Sequence, residues 1–435
     1  MAALALAAAL LLALYAATLP SRHLLEEIAA SAIFAASYLV IAIGRMPGFR
    51  LDRPGAALVG ASLMVALGIL PLEEAFRAID FDTIALLLGM MILVANLRLS
   101  GFFRLAGGWA VRRARHPLLL LAAIILLAGL LSAFLVNDTV CLVLTPLVLE
   151  LVTRLGRRPQ PYLLAVAMAS NVGSTATITG NPQNMIIGSL SHIAYVSFAA
   201  SLAPVAAIGL LLTFALLAIM FGNEFWTRTR LASVSAGALA AGPDPAPARS
   251  RAFMRISVLV AAAMVAGFFA GFPPAGVAIA AGALLLVAGR AESSQVLAQV
   301  DWPLLAMFAG LFIVVAGLEE RVISVHTATV IGELRLDRVP VLTAVTAALS
   351  NLVSNVPAVL VLRPFVAGLA DPRRAWLVLA MASTLAGNLT LVGSIANLIV
   401  ARSAEAHGVR IGFWTYLKVG APLSLLTLLA GILWL

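Results

Sequence analysis

Long apolar runs follow one another along most of this chain, and short polar segments separate them. Most runs have about the 20 residues that an α-helix needs to cross the hydrocarbon core of a bilayer. We predict spans at residues 2–19, 26–44, 55–71, 81–98, 160–192, 198–221, 253–271, 274–290, 300–318, 373–401 and 412–434. The pattern therefore predicts an all-α polytopic membrane protein with about 11 transmembrane helices.

Two further apolar stretches, residues 117–153 and 339–370, carry their polar residues near the middle. Basic residues flank the first stretch on both sides, at Arg112–Arg115 and Arg154–Arg158. A single crossing would place one of these basic clusters outside, against the tendency of positive charge to stay in the cytoplasm. We therefore expect both stretches to be re-entrant hairpins, which enter the membrane and return to the same side.

Two of the predicted spans contain residues that interrupt a helix. Gly180–Asn184 lies inside span 160–192, and Gly393–Asn397 lies inside span 373–401. Glycine permits backbone turns and proline lacks an N–H group, so a helix should break in the Gly-Asn-Pro-Gln-Asn segment. Broken ends expose backbone N–H and C=O groups, which suit polar ligands.

The two halves of the chain repeat these features at matching positions. Ser132–Pro146 aligns with Ser350–Pro364 without a gap, and the match of Ala167–Ser170 with Ala380–Ser383 carries Gly180 onto Gly393. We therefore predict an N-terminal span, a first repeat, a cytoplasmic linker and a second repeat at residues 1–25, 26–221, 222–252 and 253–435. Corresponding spans run in opposite directions in the predicted topology, and inverted repeats of this kind place a substrate site near the midplane.

Composition agrees with a membrane protein, since 62% of the residues are hydrophobic and 11% are charged. The net charge of +9 does not predict a nucleic-acid partner, because most of the 28 basic residues fall in the predicted cytoplasmic loops. This topology predicts a multi-pass protein of the inner (plasma) membrane, with its N-terminus in the cytoplasm and its C-terminus outside. One cysteine and five scattered histidines form no metal motif. We expect neither an enzyme nor a bound cofactor.

Asn137–Asp138 is predicted to lie at the tip of the first hairpin, and Asn355 takes the same place in the second. A charge at membrane depth costs about 2.5–3.5 kcal/mol on insertion scales. A carboxylate at that depth therefore indicates a functional residue. The sequence predicts that Asp138, with Asn137 and Asn355, carries the coupling proton or cation. The alternative is that Asp138 caps the second helix of the hairpin.

Polar residues beside the two tips and the two breaks are the candidate substrate ligands, because they offer amides, hydroxyls and free backbone groups. They are Thr139, Ser174, Thr177, Gly180, Asn181, Asn184, Ser354, Asn388, Thr390, Gly393 and Asn397.

Three segments of the first half, Phe134–Pro146, Pro159–Ala165 and Ser170–Asn184, resemble the ion transporter superfamily. They are most similar to its ArsB-type arsenite efflux and plant-type silicon efflux branch. The resemblance implies a fold with two opposed hairpins, a mobile transport core and a scaffold. It also implies a secondary active transporter that exports a neutral metalloid hydroxide, such as arsenite or silicic acid, in exchange for protons.

The same superfamily includes sodium-coupled dicarboxylate carriers, which have Ser-Asn-Thr at both hairpin tips. This chain has Val136–Asp138 at one tip and Ser354–Val356 at the other, and an aspartate would repel a dianion. The asparagines could still form a sodium site. A sodium- or proton-coupled anion or dicarboxylate carrier, or a sodium/proton antiporter, therefore stays open, as do a homodimer and an accompanying ATPase subunit.

Overall fold

A computed structural model of the chain describes residues 22–44, 51–113, 116–226, 251–289, 291–323, 331 and 333–435. Within these ranges the secondary structure is helical, with short turns between the helices. The predicted span 2–19 and most of the predicted linker lie outside the described residues.

The helices fall into the two halves of the chain. The first half contains α1 (Arg22–Ile43), α2 (Arg53–Ala66), α3 (Leu72–Ala78), α4 (Phe81–Ser100), α5 (Phe102–Arg113), α6 (Pro117–Phe134), α7 (Asn137–Arg154), α8 (Pro159–Ser174), α9 (Pro182–Ser191), α10 (Tyr195–Met220) and α11 (Gly222–Phe225). The second half contains α12 (Arg251–Phe269), α13 (Pro274–Ala288), α14 (Ser293–Leu297), α15 (Trp302–Leu318), α16 (Val339–Val353), α17 (Asn355–Val366), α18 (Pro372–Ala386), α19 (Ile395–Ala406) and α20 (Phe413–Trp434).

Several helices are long and apolar enough to cross a membrane, as the hydrophobic pattern predicts. Among the described residues the seven such segments are Leu24–Ile43, Phe81–Ser100, Pro117–Phe134, Tyr195–Met220, Arg251–Phe269, Trp302–Ile323 and Phe413–Trp434. Shorter apolar helices are Arg53–Ala66, Pro274–Ala288, Val339–Val353 and Asn355–Val366. The prediction of an all-α polytopic membrane protein is therefore confirmed.

Both stretches predicted as hairpins consist of two helices that contact each other. The first is formed by α6 and α7, with two residues between them, and the second by α16 and α17, joined at Ser354. The helix pairs match residues 117–153 and 339–370, while their depth in a bilayer stays a prediction.

Contacts divide the chain into two compact units, and each unit draws on both halves. Unit 1 consists of the described residues within 1–84 and 301–379, and unit 2 of those within 85–300 and 380–435. In unit 1, α2 packs against α15, and the second hairpin contacts α1 through a hydrogen bond from Tyr38 Oη to the carbonyl of Pro357 at 3.2 Å.

The centre of unit 2 is α8, whose residues 161–174 are all buried. It contacts α6, α7, α10 and α19. Gly173 lies so close to the backbone of Gly129 on α6 that a Cβ would overlap with it. The first hairpin and both predicted helix breaks are therefore gathered around one buried helix.

Packing contacts recur at equivalent positions of the two halves. In unit 2, Gly89 on α4 lies against the backbone of Ala278 on α13; in unit 1, Gly310 on α15 lies against that of Ala57 on α2. The same sequence interval separates Gly89 from Gly310 and Ala57 from Ala278, so the glycine contact is formed twice. A side chain at either glycine would hold the two helices apart.

Candidate functional site

The predicted break in the first half is present. The helix α8 ends at Ser174, a 3₁₀ turn covers Ile178–Gly180, and α9 begins at Pro182, where a missing N–H costs no helical hydrogen bond. Asn181 caps α9 by accepting a hydrogen bond from the backbone N–H of Asn184 at 2.9 Å. A Cβ on Gly180 would overlap with the carbonyl of Ser174, so the turn requires glycine.

The matching break in the second half separates α18, which ends at Ala386, from α19, which begins at Ile395. The N-cap position of α19 is Ser394, the repeat equivalent of Asn181. Within the break, the backbone N–H of Gly393 donates to the carbonyl of Thr390 at 3.1 Å.

One asparagine in each half ties the two ends of its break together. The side-chain Nδ2 of Asn184 donates to the carbonyls of Ser174 and Thr177 at 3.1 and 3.0 Å. The Nδ2 of Asn397 donates to the carbonyls of Gly387 and Thr390 at 2.8 and 3.2 Å. Donors and acceptors are repeat equivalents, so both breaks use one hydrogen-bond pattern to satisfy carbonyls that the broken helix leaves free. These two Nδ2 groups therefore stabilise the backbone of the two breaks.

Each break also bonds to the helix that precedes the other break. Asn181 Nδ2 donates to Thr384 Oγ1 at 3.2 Å, and Ser394 Oγ donates to Asn171 Oδ1 at 3.1 Å. Asn181 and Ser394 are repeat equivalents, and so are Asn171 and Thr384. Reciprocal contacts between equivalent positions are the mark of a two-fold relation, as expected for two repeats that face each other.

Asn171, in the middle of α8, connects the first hairpin to the second break. Its Oδ1 also accepts from Asn137 Nδ2 at 3.1 Å, and its Nδ2 donates to Asn388 Oδ1 and Asn397 Oδ1 at 2.9 and 3.0 Å. The side chain is 1% exposed. With two bonds on each amide atom, Asn171 uses its full hydrogen-bonding capacity.

The tip of the first hairpin is fastened to α8. Asn137 begins α7, and its carbonyl accepts from Ser170 Oγ, which also bonds to Ser132 Oγ at 2.7 Å. Asp138 follows in the first turn of α7, where the helix dipole favours a negative charge. The N-cap position belongs to Val136, and the alternative in which the Asp138 carboxylate accepts backbone N–H groups of this helix stays a prediction.

Two side-chain oxygens in this part of unit 2 are buried without a hydrogen-bond partner among the described residues. They are Asn137 Oδ1 and Asn184 Oδ1, on side chains 4% and 0% exposed. A buried amide oxygen without a partner costs about 1–3 kcal/mol, which a bound donor or cation would recover.

The remaining candidate residues of unit 2 are Thr177, Asn388, Thr390 and Thr139. Thr177 Oγ1 donates to the carbonyl of Ala133, and Asn388 Nδ2 donates to that of Met168 at 3.2 Å. Thr390 acts through its carbonyl as described above. Thr139 is half-buried in the first turn of α7.

Ser354 and Asn355, the candidates at the second hairpin tip, belong to unit 1. Ser354 joins α16 to α17 with φ of +77°, a backbone conformation that strains a residue with a Cβ. Ser350 Oγ donates to Asn355 Oδ1 at 2.5 Å. Strained residues concentrate at binding and switch sites, in keeping with the prediction for this tip.

The candidates from the sequence left out several members of the buried network, including Ser132, Ser170, Asn171, Gln183, Thr384 and Ser394. The Nε2 of Gln183 donates to Thr384 Oγ1 at 3.1 Å. A signal was present, because Asn171 and Thr384 each come directly after the aligned serines Ser170 and Ser383. A polar residue in the middle of a span, repeated at the equivalent position, points to the bundle interior.

Comparison with known proteins finds matches over nearly the whole chain. A family model described as CitMHS, citrate transporter, matches residues 38–386. The uncharacterized transporter Rv2684 of Mycobacterium tuberculosis is 32% identical, over 94% of this chain and 98% of that one. The silicon efflux transporter LSI3 of Oryza sativa is 28% identical, over 92% and 96% of the two chains. The putative transporter arsB of Dictyostelium discoideum is 24% identical, over 92% and 90%.

Two solved structures share the fold. The YdaH transporter of Alcanivorax borkumensis superposes with a TM-score of 0.59 at 17% identity, over 95% of this chain and 97% of that one. MtrF of Neisseria gonorrhoeae, described among antimetabolite efflux pumps, superposes with a TM-score of 0.58 at 13% identity, over 96% and 94%.

Proposed function

This chain is a membrane transporter that belongs to the CitMHS family, and we propose that it exports a neutral metalloid hydroxide, such as arsenite or silicic acid, in exchange for protons. Family and relatives alike are transporters and not enzymes. The predicted topology, with a cytoplasmic N-terminus and an external C-terminus in the inner membrane, is part of the proposal.

One observation carries the proposal: a buried network of neutral amides and hydroxyls includes Asn137 at the tip of the first hairpin, and the carboxylate of Asp138 is on the next residue. Asn137 belongs to the network through Asn171. The side chains of the network are asparagine, glutamine, serine and threonine, with the hydroxyls of Tyr195 and Tyr416 bonded to Thr179 and Asn388. Such a surface suits a neutral solute with several hydroxyl groups, which can donate and accept hydrogen bonds without bringing a charge.

The unpartnered oxygens are the places where such a solute would bind. Asn137 Oδ1 and Asn184 Oδ1 each lack a donor in the described part of the chain, and a metalloid hydroxide offers several O–H groups. A site built to pair with a hydroxyl rejects an analogue without one, because its own polar groups then stay unpaired. The same two oxygens would therefore determine which solutes bind.

Asp138 would carry the exchanged proton. It is half-buried in the first turn of α7, one residue from a proposed substrate contact. Exchange of a neutral solute for one entering proton moves charge across the membrane, which is worth about 2.3 kcal/mol per 100 mV. At about 1.4 kcal/mol per tenfold, that energy sustains roughly a fifty-fold solute gradient.

Among the relatives, the names of LSI3, a silicon efflux transporter, and of arsB support a metalloid substrate. The description of the family model, citrate transporter, supports a second candidate: a sodium- or proton-coupled anion or dicarboxylate carrier, or a sodium/proton antiporter. Amide oxygens beside broken helices also suit a sodium ion, so Asn137 and Asn355 serve either candidate.

Transport by the purified protein in liposomes separates the two candidates. Arsenite, silicic acid, citrate and sodium are each presented under an imposed pH gradient and, separately, under an imposed sodium gradient. We expect a pH gradient to drive arsenite or silicic acid, with protons moving the opposite way. Citrate movement driven by either gradient, with no movement of a metalloid, would contradict the proposal and favour the carrier.

A further inference from the structure

The helix α16 buries its polar face. Its fully buried residues are Leu342, Thr343, Thr346 and Ser350, whereas its exposed positions are Pro340, Ala344, Ala348 and Leu352. Spacing of three and four residues places the three hydroxyls on one side of the helix, along about 10 Å. In a membrane protein, a helix that turns apolar residues outward and hydroxyls inward lines a polar interior.

Two of these hydroxyls have no hydrogen-bond partner in the described part of the chain. They are Thr343 Oγ1 and Thr346 Oγ1, on side chains that are 2% and 0% exposed. Three other buried threonines, Thr145, Thr213 and Thr427, donate to the carbonyl four residues earlier, although Thr83 Oγ1 is buried without a partner among the described residues as well. Neither Thr343 nor Thr346 makes this bond. Each therefore has a buried hydroxyl that can both donate and accept a hydrogen bond on the inner side of the helix.

The first hairpin lacks this feature. In the alignment of Ser132 with Ser350, the equivalents of Thr343 and Thr346 on α6 are Ile125 and Ala128. Both are buried apolar residues. Of the two hairpins, therefore, only the second has this row of hydroxyls. A hairpin can form without it.

We propose that this face of α16 holds a file of water molecules that leads to the tip of the second hairpin. Thr343 lies little more than one helical turn inside the exposed Arg338, and Ser350 at the other end donates to Asn355. Buried water characteristically bridges polar groups that have no protein partner. A threonine hydroxyl accepts from one water and donates to the next, so the file can also conduct protons. That second role rests on the proposed proton coupling.

Reactivity of introduced cysteines tests the water file directly. The chain has one cysteine, Cys141, so Cys141→Ala gives a cysteine-free background. In it we would place Thr346→Cys or, as the matched control, Thr213→Cys, since both threonines are 0% exposed and Thr213 bonds within its own helix. We expect a small hydrophilic methanethiosulfonate to modify T346C at least about tenfold faster than T213C in the folded protein. Equal rates would overturn the proposal.

Removal of the hydroxyls tests the proton role without depending on cysteine chemistry. We expect T343V/T346V to slow pH-driven transport in liposomes by at least about tenfold, while T213V/T427V leaves it unchanged. A dry face predicts the opposite for T343V/T346V, namely higher thermal stability and unaltered transport, because an unpartnered hydroxyl has been removed. Fast modification of T346C together with no transport of any metalloid would support the water file and contradict only the proposed function.

Discussion

At the residue scale, the proposed chemistry assigns the coupling proton to one charged side chain, Asp138, and substrate binding to neutral ones. Asp138 adjoins a network in which Asn171 alone makes four hydrogen bonds. A carboxylate changes charge with a single proton, whereas amides and hydroxyls do not titrate in the physiological range. Coupling and binding are therefore assigned to different residues, and each assignment can be tested separately.

The coupling role is tested by Asp138→Asn, which keeps the size and polarity of the side chain but removes its charge. We expect pH-driven metalloid antiport in liposomes to fall at least about tenfold, while passive exchange of solute between equal solutions persists. Glu150→Gln is the control, because Glu150 pairs with Arg154 on the same helix at 2.5 Å. Full antiport by Asp138→Asn would rule out this carboxylate as the proton carrier.

The structural role of the network is tested by Asn171→Ala. The change leaves amide groups of Asn137, Asn388 and Asn397 without this partner, so we expect a loss of about 3 kcal/mol or more in the free energy of unfolding. Thermal unfolding in detergent measures it, with Ser62→Ala as control because Ser62 bonds within its own exposed helix turn. An unchanged transition would mean that water replaces the lost bonds.

At the scale of elements, small residues decide where helices break and how closely they pack. Gly180 permits the turn between α8 and α9, and Gly89 and Gly310 permit two close helix contacts. Glycine is needed at each position because backbone atoms already occupy the space that a Cβ would fill.

Substitution of Gly180 by alanine should therefore disrupt the first break. The added Cβ overlaps with the carbonyl of Ser174, and we expect a destabilisation of about 1–3 kcal/mol with loss of substrate binding. Gly276→Ala is the matched control, since nothing lies within 4 Å of a Cβ there. Thermal unfolding and transport are measured for both variants; equal behaviour would contradict the assigned turn.

The repeated glycine contact makes a paired prediction. Gly89→Ala and Gly310→Ala should each lower the unfolding temperature, because each added Cβ meets helix backbone at Ala278 or Ala57. The measurement is thermal unfolding of the two variants beside Gly107→Ala, where the space is open. A stable variant at either position would show that the two contacts are not equivalent.

At the scale of the whole molecule, the two halves supply equivalent breaks and equivalent helix contacts, and their hairpins fall in different units. The halves differ where function is expected. Asp138 of the first hairpin corresponds to Val356 of the second, and Thr343 and Thr346 of the second correspond to Ile125 and Ala128 of the first. The repeat thus explains the features of the fold that the two halves share. The residues proposed to function lie at positions where the two halves differ.

The proposed orientation is tested with reporter fusions in bacterial cells. We expect alkaline phosphatase fused after Leu435 to be active, because the enzyme matures only outside the inner membrane, and the same fusion after Trp226 to be inactive. Basic residues predicted in the cytoplasm support this assignment. Activity at Trp226 but not at Leu435 would require the inverted topology.

The sequence by itself determined the spans, the helix breaks and the repeats. These are local properties: a run of about 20 apolar residues forms a spanning helix, and a Gly-Asn-Pro segment breaks one, largely whatever surrounds them. The pattern placed the breaks at Gly180–Asn184 and Gly393–Asn397; in the structure α9 and α19 begin inside these segments, at Pro182 and Ile395, whereas α8 and α18 end several residues earlier, at Ser174 and Ala386.

Only the tertiary structure decided how the polar groups pair. Asn171 bonds to residues more than 200 positions away, and the Nδ2 groups of Asn184 and Asn397 donate to backbone carbonyls. Which hydroxyl finds a partner depends on which helices pack together, a choice made by the burial of whole faces and not by any short segment. The sequence therefore named most of the polar residues, and the fold determined which of their atoms lack a hydrogen-bond partner in the described part of the chain.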